Sequence, residues 1–396
     1  MKRPSRQRRA HQRAFVILGI FLLFPVWMRA EPLASPSWGF SIDLPEGYSL
    51  VGGDGKNQFS FAAESGAFVD LIVYQPSRFA SLEEVARYTE ESLRAEAESS
   101  AFSYRDKKAI LMSLAFEAEG GKMAGWGLCV ELHLPATTRK EGGKTPMLLA
   151  LAYGPEGEQG LDGFHRSALD SIAVTAADRY APGPLSAFAY PSLGRKVVRV
   201  AGLEAEATID EADAEAAKAL VDREFAVLTY YASSPLWKEA WTRFYRFIYR
   251  DSYERLADLS LTVERTIQAS TGAPSNTDRL LAEQTLAWVQ GFAYERDLMG
   301  SDFVDLVTAA TEGSGDCDSR ALLFAVVLMH AGIESSIMVS RDYSHAMGLV
   351  AMEGTGARFG HGGKKWMVAE TTAKVPLGLI GKDSADPAKW LGILLQ

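Results

Sequence analysis

A cysteine, a histidine and an acid follow one another near the C-terminal end of this 396-residue chain. Cys317 lies in the stretch GSGDCDSRALL, directly after a glycine-rich turn and at the start of a helix-like run. His345 opens one strand-like segment, and Glu370 ends another. A thiol beside an imidazole that a carboxylate orients is an arrangement for nucleophilic catalysis. These three residues are therefore the candidate catalytic set.

The position of Cys317 predicts a reactive form of its thiol. Unpaired N–H groups and the positive end of the helix dipole favour a thiolate in the first turn of a helix. Two other interpretations stay open from the sequence. Free cysteine is among the most often buried residue types, so Cys317 could be inert. The flanking Asp316 and Asp318 could cap the helix and take no part in chemistry.

The elements around these residues follow from their hydrophobic patterns. LLAEQTLAWVQGFAYERD, at 280–297, has helical periodicity, and DSRALLFAVVLMHAG reads as a buried helix that Gly332 ends. Three strand-like pieces follow: IESSIMVS, HAMGLVAM and KKWMVAETT. The pattern predicts a helix packed on an antiparallel meander, which would bring His345 and Glu370 toward the start of that helix.

GSGDCDSRALLFAVVLMHAGI, SHAMGLVAM and KWMVAETT together resemble the transglutaminase-like superfamily of papain-like cysteine enzymes. AWVQGFAYERD resembles the helix that precedes the nucleophile in that family, so the resemblance covers about 280–375. It implies Cys317 as nucleophile and His345 as general base and acid. Glu370 takes the position where the family usually has aspartate, and its carboxylate can still accept a hydrogen bond from the imidazole.

An acyl-transfer reaction also needs donors for the oxyanion. The backbone N–H of Cys317 is one candidate by geometry. The side chains of Gln290 and Trp288 are candidates for the second donor, and the sequence does not choose between them. Tyr294 is open to either a role at the site or a role in packing.

The remaining histidines and the second cysteine carry no partner pattern. His361 lies in a glycine-rich hairpin and is expected to face water, whereas His330 is expected to interact with the dipole at its helix end. His133 and His165 are expected to be structural histidines with satisfied ring nitrogens. Cys129 alternates with apolar neighbours in GLCVELHL and is expected to be a buried, small, hydrophobic residue.

The chain before the catalytic region predicts an α+β fold. Residues 31–175 contain short strand-like runs, a helix opened by Ser81 and Glu84 as a capping box, further strands and a closing helix. We expect an α/β/α sandwich with an antiparallel sheet. FSIDLPEGY, the early hairpins and the SLEEVA helix start resemble the PsbP-like family of small exported domains.

A Pro-, Gly- and Ala-rich stretch, 176–202, predicts a linker. Residues 203–396 then predict a helical region that leads into the transglutaminase-like domain. Thr208 and Glu211 form a second possible capping box, which would open a helix. The aromatic residues that follow at helical spacing are expected in the core.

The first thirty residues predict a secretory signal. Basic residues precede the short apolar run FVILGIFLLFPVWM, and Ala30 offers a small residue for cleavage. The expected location is therefore the periplasm, the cell envelope or the extracellular space. An uncleaved segment that anchors the protein to a membrane is the alternative.

Charge and composition narrow the function classes. Removing residues 1–30 takes away seven of the 41 basic residues and no acidic one, which leaves 34 basic and 50 acidic residues and a net charge of −16. Such a chain should be repelled by nucleic acid. The two cysteines and the absence of CxxC or Cys/His spacing predict neither a structural metal nor a cofactor.

These observations predict an exported cysteine hydrolase, a peptidase or amidase that acts on peptide or side-chain amide bonds through an acyl-enzyme. A protein or peptide is the expected substrate. A transamidase is possible, but no calcium loop is visible, and hydrolysis is preferred. The alternative from another class is a catalytically inactive binding or scaffold module of the envelope.

Overall fold

The computed structural model describes residues 32–118, 120–132, 145–271, 278–296 and 301–396. The predicted signal at 1–30 and His133 lie outside the described residues. Within them the protein is α+β, as predicted. None of the helices in these ranges combines the length and the apolar character that crossing a bilayer requires.

A seven-stranded antiparallel sheet forms the centre of the N-terminal part. Its strands run in the spatial order β3-β4-β5-β9-β8-β7-β6, and β1 and β2 form a separate pair. The bounds are β1 (Leu33–Ala34), β2 (Ser41–Ile42), β3 (Ser49–Gly53), β4 (Gln58–Ala62), β5 (Phe68–Tyr74), β6 (Glu96–Tyr104), β7 (Lys107–Ala118), β8 (Gly121–Glu131) and β9 (Met147–Pro155).

Helices cover both faces of this sheet, because its central strands carry apolar side chains on both sides. On β7, Ile110 and Met112 pack toward α1 (Leu82–Leu93), whereas Leu111 joins the core beneath α2 (Leu161–Asp170) and α3 (Pro184–Ala189). Ser81 caps α1 by accepting the N–H of Glu84, as predicted. The architecture is the expected α/β/α sandwich.

The stretch 176–202, predicted as a linker, has structure of its own. It holds a short 3-10 helix (Ala177–Tyr180), α3, and β10 (Arg195–Arg199), which pairs with β11 (Glu206–Asp210). The predicted capping box at Thr208 is wrong, since Thr208 lies in β11 and the next helix begins only at Asp213.

Six helices form the layer that carries the predicted nucleophile. They are α4 (Asp213–Tyr230), α5 (Trp237–Arg255), α6 (Ala257–Thr271), α7 (Asp278–Gln290), α8 (Leu306–Glu312) and α9 (Cys317–His330). As expected, α9 is buried along almost its whole length, and Gly332 follows its end with φ of 78°. Burial of α9 places its N-terminal residue inside the domain.

A five-stranded antiparallel sheet packs against α9. Its spatial order is β16-β17-β15-β14-β18, so the predicted meander gains two edge strands. The bounds are β14 (Ser335–Ser340), β15 (His345–Val350), β16 (Arg358–His361), β17 (Lys364–Ala369) and β18 (Leu391–Ile393); a parallel pair, β12 (Ala293–Tyr294) and β13 (Ser314–Gly315), flanks the start of α9. Two 3-10 turns precede β18.

Buried polar contacts connect the two parts of the molecule. Arg243 on α5 donates to the Glu224 carboxylate at 2.8 Å, to the hydroxyl of Ser167 on α2 at 2.8 Å and to the backbone oxygen of Asp43. Arg243 is 3% exposed. A buried guanidinium that loses one of these partners is costly, so these bonds hold the N-terminal sandwich against the helical layer.

Candidate functional site

Cys317 is the first residue of α9, and a tight turn brings the chain to it. α8 ends at Gly313, whose φ of 71° lies in the left-handed region that glycine adopts readily. Asp316 is the N-cap: its Oδ1 accepts hydrogen bonds from the backbone N–H of Ser319 at 2.8 Å and from its hydroxyl at 2.6 Å. This turn and cap hold the thiol at the helix N-terminus, as the sequence predicted.

The sulfur of Cys317 lies against the first residues of β15. The backbone N–H of Ala346 donates to it, and the thiol donates to Oδ2 of Asp318 with 3.6 Å between the heavy atoms. Cys317 is 1% exposed. Ala346 follows His345 directly, so the residue that carries the imidazole lies one position along β15 from the N–H that contacts the sulfur.

His345 and Glu370 form a hydrogen-bonded pair. Nε2 of His345 and Oε2 of Glu370 are 2.9 Å apart, and the pair retains partial contact with solvent. The other carboxylate oxygen, Oε1, accepts from the N–H of Thr372 at 2.8 Å and from its hydroxyl at 2.6 Å. The glutamate carboxylate therefore reaches the imidazole although it stands where the resemblance places an aspartate.

The charge state of Glu370 assigns the proton on His345. Burial by itself would raise the pKa of Glu370, but hydrogen bonds from His345 and Thr372 outweigh burial and lower the pKa. An ionised carboxylate only accepts hydrogen bonds, so Nε2 carries the proton. Nδ1 then presents a lone pair whenever the imidazole is neutral, and this lone pair can act as a base.

The thiol differs from the prediction. Burial first, and then the carboxylates of Asp318 and Asp316, raise the pKa of Cys317, while the N–H of Ala346 acts in the opposite direction. The expected thiolate is therefore wrong for the resting protein, because desolvation and two acids outweigh the helix terminus. The resting form is a neutral thiol that donates to Asp318.

The two aspartates that flank Cys317 differ in role. Burial and the neighbouring Asp318 raise the pKa of Asp316 to about 8, so Asp316 holds a proton at neutral pH. Asp318 accepts a hydrogen bond of 2.6 Å from the hydroxyl of Tyr245 on α5. Only Asp316 caps the helix, and Asp318 connects the thiol to the neighbouring helix.

The same three residues are the one group in the described ranges whose ligand atoms are close enough to hold a metal ion: Asp316, Cys317 and Asp318 lie within 4.8 Å of one another. Ser319 already donates to one carboxylate oxygen of Asp316, and Tyr245 donates to one carboxylate oxygen of Asp318. The proton that Asp316 holds at neutral pH reduces the repulsion between the two acids.

Both side chains predicted as oxyanion donors are engaged elsewhere. Nε2 of Gln290 donates to the backbone oxygens of Glu370 at 2.8 Å and Val375 at 2.9 Å. Nε1 of Trp288 donates to the oxygen of Ala201 at 2.7 Å. Gln290 thus holds the segment that carries the acid, and Trp288 holds the turn before β11; neither donor faces the sulfur.

Tyr294 is a residue at the site that the sequence left open. It is 52% exposed, which argues against a role in packing. Burial first, and then the nearby Cys317, raise the pKa of the Tyr294 hydroxyl. Arg320 lies beneath it, 5.5 Å from the ring centroid, and donates to the backbone oxygens of Gly315 and Phe292. Arg320 therefore ties β12 to β13 below the thiol.

The remaining expectations resolve individually. Cys129 is fully buried, and both cysteines are free. His330 stacks on Tyr253, and burial lowers the pKa of His330, so it is neutral and is not the dipole-stabilising cation expected. His361 is half-buried against Gly392 and does not simply face water. His165 is buried as expected, but its Nε2 has no hydrogen-bond partner among the described residues, so the expected satisfied ring is wrong.

The arrangement combines a helix-terminal thiol with an imidazole that a carboxylate holds by one nitrogen, and the imidazole belongs to the residue before the N–H that contacts the sulfur. No protein-family model matches this chain, and no curated protein matches it. Solved structures with weak similarity exist. One is a Bacteroides thetaiotaomicron protein, at 8% identity and a TM-score of 0.25, over 85% of this chain and 89% of that one.

Two further structures are similar at the same low level. LpqN, involved in cell envelope biogenesis of Mycobacterium tuberculosis, aligns with 32% of this chain and 79% of its own, at 11% identity and a TM-score of 0.22. A Parabacteroides distasonis protein described as a "putative protease" aligns with 79% of this chain and 69% of its own, at 10% identity and a TM-score of 0.20. Similarities of this size define neither a family nor an activity.

Proposed function

We propose that the protein is an exported cysteine hydrolase of transglutaminase-like type that cleaves peptide or side-chain amide bonds. The observation that carries the proposal is the hydrogen bond of 2.9 Å between His345 and Glu370. His345 is the first residue of β15, and the N–H of the next residue, Ala346, contacts the sulfur of Cys317. An imidazole fixed by a carboxylate next to a thiol is the arrangement that nucleophilic catalysis needs.

The reaction starts from the neutral thiol. Substrate binding places an amide carbonyl carbon beside the sulfur. The thiol proton then passes to the free Nδ1 of His345 as the sulfur attacks, and Glu370 stabilises the imidazolium. Because burial and acids disfavour a free thiolate, proton transfer accompanies attack rather than preceding it.

The second half of the reaction restores the site. The imidazolium donates its proton to the leaving amine, the C–N bond breaks, and a thioester to Cys317 remains. His345 then takes a proton from water, whose oxygen attacks the thioester; the acid product leaves and the sulfur regains its proton. In a transamidase, an amine would replace water in this step.

Donors for the oxyanion come from two sides in this proposal. The backbone N–H of Cys317 lies in the first turn of α9, where N–H groups have no partner within the helix. We assign the second donor to Tyr294, because its hydroxyl is close enough to Cys317 for their charges to interact and because the donors of Gln290 and Trp288 are engaged. Removal of one oxyanion donor costs roughly 100-fold in rate in known cases.

A second function, a binding module with an inert thiol, is favoured by one observation: Cys317 is 1% exposed and donates to Asp318. To separate the two, the purified protein is incubated with a mixed peptide library, and new peptide termini and glutamine- or asparagine-to-acid conversions are read by mass spectrometry. We expect products that Cys317→Ala and His345→Ala abolish and Cys129→Ala preserves. Identical product lists from the wild type and Cys317→Ala would refute the hydrolase.

A further inference from the structure

A trough of about 620 Å³ lies on the N-terminal sandwich, and all of its lining residues belong to the segment 96–165. It occupies the sheet face beneath α2, where that helix leaves the ends of β6 and β7 uncovered. Its floor includes small side chains, because Ala115 pairs with Ala124 on the neighbouring strand and Ser113 lies two residues before Ala115 on the same face. A volume of this size suits a small organic ligand.

The walls of the trough are acidic. Glu96 and Glu98 project from β6, and Glu158 lies in the turn before α2; all three are exposed, and no hydrogen bond or ion pair engages their carboxylates among the described residues. Asp162 also lines the trough, but it accepts from Trp126 Nε1 at 2.7 Å. No lysine or arginine of the described ranges lines it.

An aromatic wall and a buried acceptor complete the trough. The hydrogen bond to Asp162 fixes the indole of Trp126, and Arg166 lies 5.9 Å from its ring centroid outside the lining. His165 is 3% exposed, and its Nε2 has no partner in the part of the chain that the structure describes. His165 itself lines the trough, and a β-carbon at Gly154 would come within 2.8 Å of Leu161 Cδ1 and 3.3 Å of this nitrogen, so glycine leaves the room that the ring occupies.

The histidine is an acceptor. Burial lowers the pKa of His165 to about 4, so the ring is neutral at physiological pH, and the ring donates to the backbone oxygen of Tyr153. With that proton engaged, Nε2 offers a lone pair. An unmet acceptor in a buried position costs free energy, which a ligand with N–H donors would recover.

All of these groups call for the same ligand chemistry. Three free carboxylates attract positive charge, an indole face binds ammonium groups, and Nε2 needs a donor. His165 and the acids do not converge on one point as metal ligands do, since the described residues hold no such group here. Strands β6 and β9 are three strand spacings apart, roughly 14 Å, so a single ammonium group cannot contact both walls.

We propose that this trough, formed by Glu96, Glu98, Glu158, Trp126 and His165, binds an extended amine with two or more alkylammonium groups. One such group lies between the glutamates of β6, and another lies near Glu158, with the chain between them against Trp126. The source of this chemistry is either a free polyamine or the lysine side chains of a peptide.

Isothermal titration calorimetry of the whole protein with spermidine, trilysine and an uncharged tetrasaccharide tests the proposal. We expect saturable binding of spermidine, trilysine or both, and a dissociation constant at least tenfold higher in Glu96→Gln/Glu98→Gln. The matched control is Glu90→Gln/Glu91→Gln, which makes the same charge change on the exposed surface of α1 and should leave affinity unchanged. Trp126→Leu should weaken binding as well.

Each result of the calorimetry either supports the amine-binding site or overturns it. Binding of spermidine assigns a free polyamine, and binding of trilysine alone assigns lysine side chains of a peptide; both support the site. Absence of binding by both amines, equal loss in the two double variants, or stronger binding of the tetrasaccharide would overturn it. The readout is binding, and the trough shares no residue with the site of Cys317, His345 and Glu370, so the result is independent of the proposed hydrolysis.

Discussion

The carboxylate of Asp318 accepts a hydrogen bond from the thiol of its neighbour Cys317, with 3.6 Å between Oδ2 and Sγ. The other oxygen of Asp318 is held by the hydroxyl of Tyr245. Burial and the carboxylates of Asp318 and Asp316 raise the pKa of Cys317, so the site at rest combines a neutral thiol with an imidazole–carboxylate pair. In the proposed reaction, such a site stays unreactive until a substrate enters and the thiol proton passes to His345.

Asp318→Asn should increase the reactivity of Cys317. The substitution removes a negative charge that raises the pKa of the thiol, while the amide oxygen can still accept from Tyr245. Removal of one adjacent charge changes a pKa by roughly one unit, so the rate of alkylation by iodoacetamide at pH 8 should rise about tenfold. Mass spectrometry of the Cys317 peptide over time measures this rate.

Asp222→Asn, on the exposed side of α4, is the control for that change in net charge and should leave the alkylation rate at the wild-type value. A Cys317 alkylation rate that is equal in all three proteins would show that Asp318 does not control the thiol.

Glu370→Gln should impair catalysis without unfolding the protein. A glutamine amide can donate to Nε2 of His345, which would move the ring proton to Nδ1 and remove the base. We expect product formation from the peptide library to fall by roughly 10- to 1000-fold, mainly in kcat. Glu334→Gln, which changes an exposed acid paired with Lys364, should retain activity. Equal activity of both variants would contradict the role of Glu370.

Asp316→Asn should change how stability depends on pH. The folded-state pKa of Asp316 is about 8, above its ordinary value of 3.8, so the folded protein binds a proton that the unfolded chain releases between these values. Its contribution to the free energy of unfolding is therefore fully present below about pH 4 and is lost as the pH rises to 8. Asparagine can keep the cap on Ser319 and removes this loss.

We expect the difference in unfolding free energy between Asp316→Asn and the wild type to increase by roughly 3–4 kcal/mol in favour of the variant from pH 5 to pH 8. Urea denaturation at the two pH values measures it. A difference that is constant with pH would mean that Asp316 is ionised in the folded protein.

Gly348→Ala should destabilise the contact that places β15 against α9. A β-carbon at Gly348 would lie 2.6 Å from Cδ1 of the fully buried Phe324. Overpacking of this kind costs about 1–3 kcal/mol, and the displaced strand carries His345 away from the thiol. Urea denaturation measures the loss, and Gly360→Ala, with open space at its β-carbon, is the matched control.

Adding Phe324→Leu to Gly348→Ala should recover part of the lost stability, because the smaller side chain relieves the overlap. If the double variant is less stable than the sum of the two single changes predicts, the contact with Phe324 is not the cause.

Local pattern was enough to predict much of this protein. The apolar run after Cys317 predicted a buried helix, the alternation around His345 and before Glu370 predicted strands, and the N-terminal runs predicted an α/β/α sandwich. These features depend on side-chain periodicity within one element, and periodicity is written in consecutive residues. The order of thiol, imidazole and acid along the chain could likewise be read directly from the sequence.

The state of the site depended on contacts between residues far apart in the chain. The sequence predicted a thiolate from the helix terminus, but burial and the carboxylates of Asp318 and Asp316 raise the pKa of Cys317 and give a neutral thiol. Gln290 and Trp288 carry N–H groups suited to an oxyanion, but these groups donate to the backbone oxygens of Glu370 and Ala201 instead. His165 was predicted to have both ring nitrogens hydrogen-bonded, but no described residue lies where it could bond to Nε2. A pKa or an unmet hydrogen bond is set by everything that surrounds a group, and only the folded chain decides what that is.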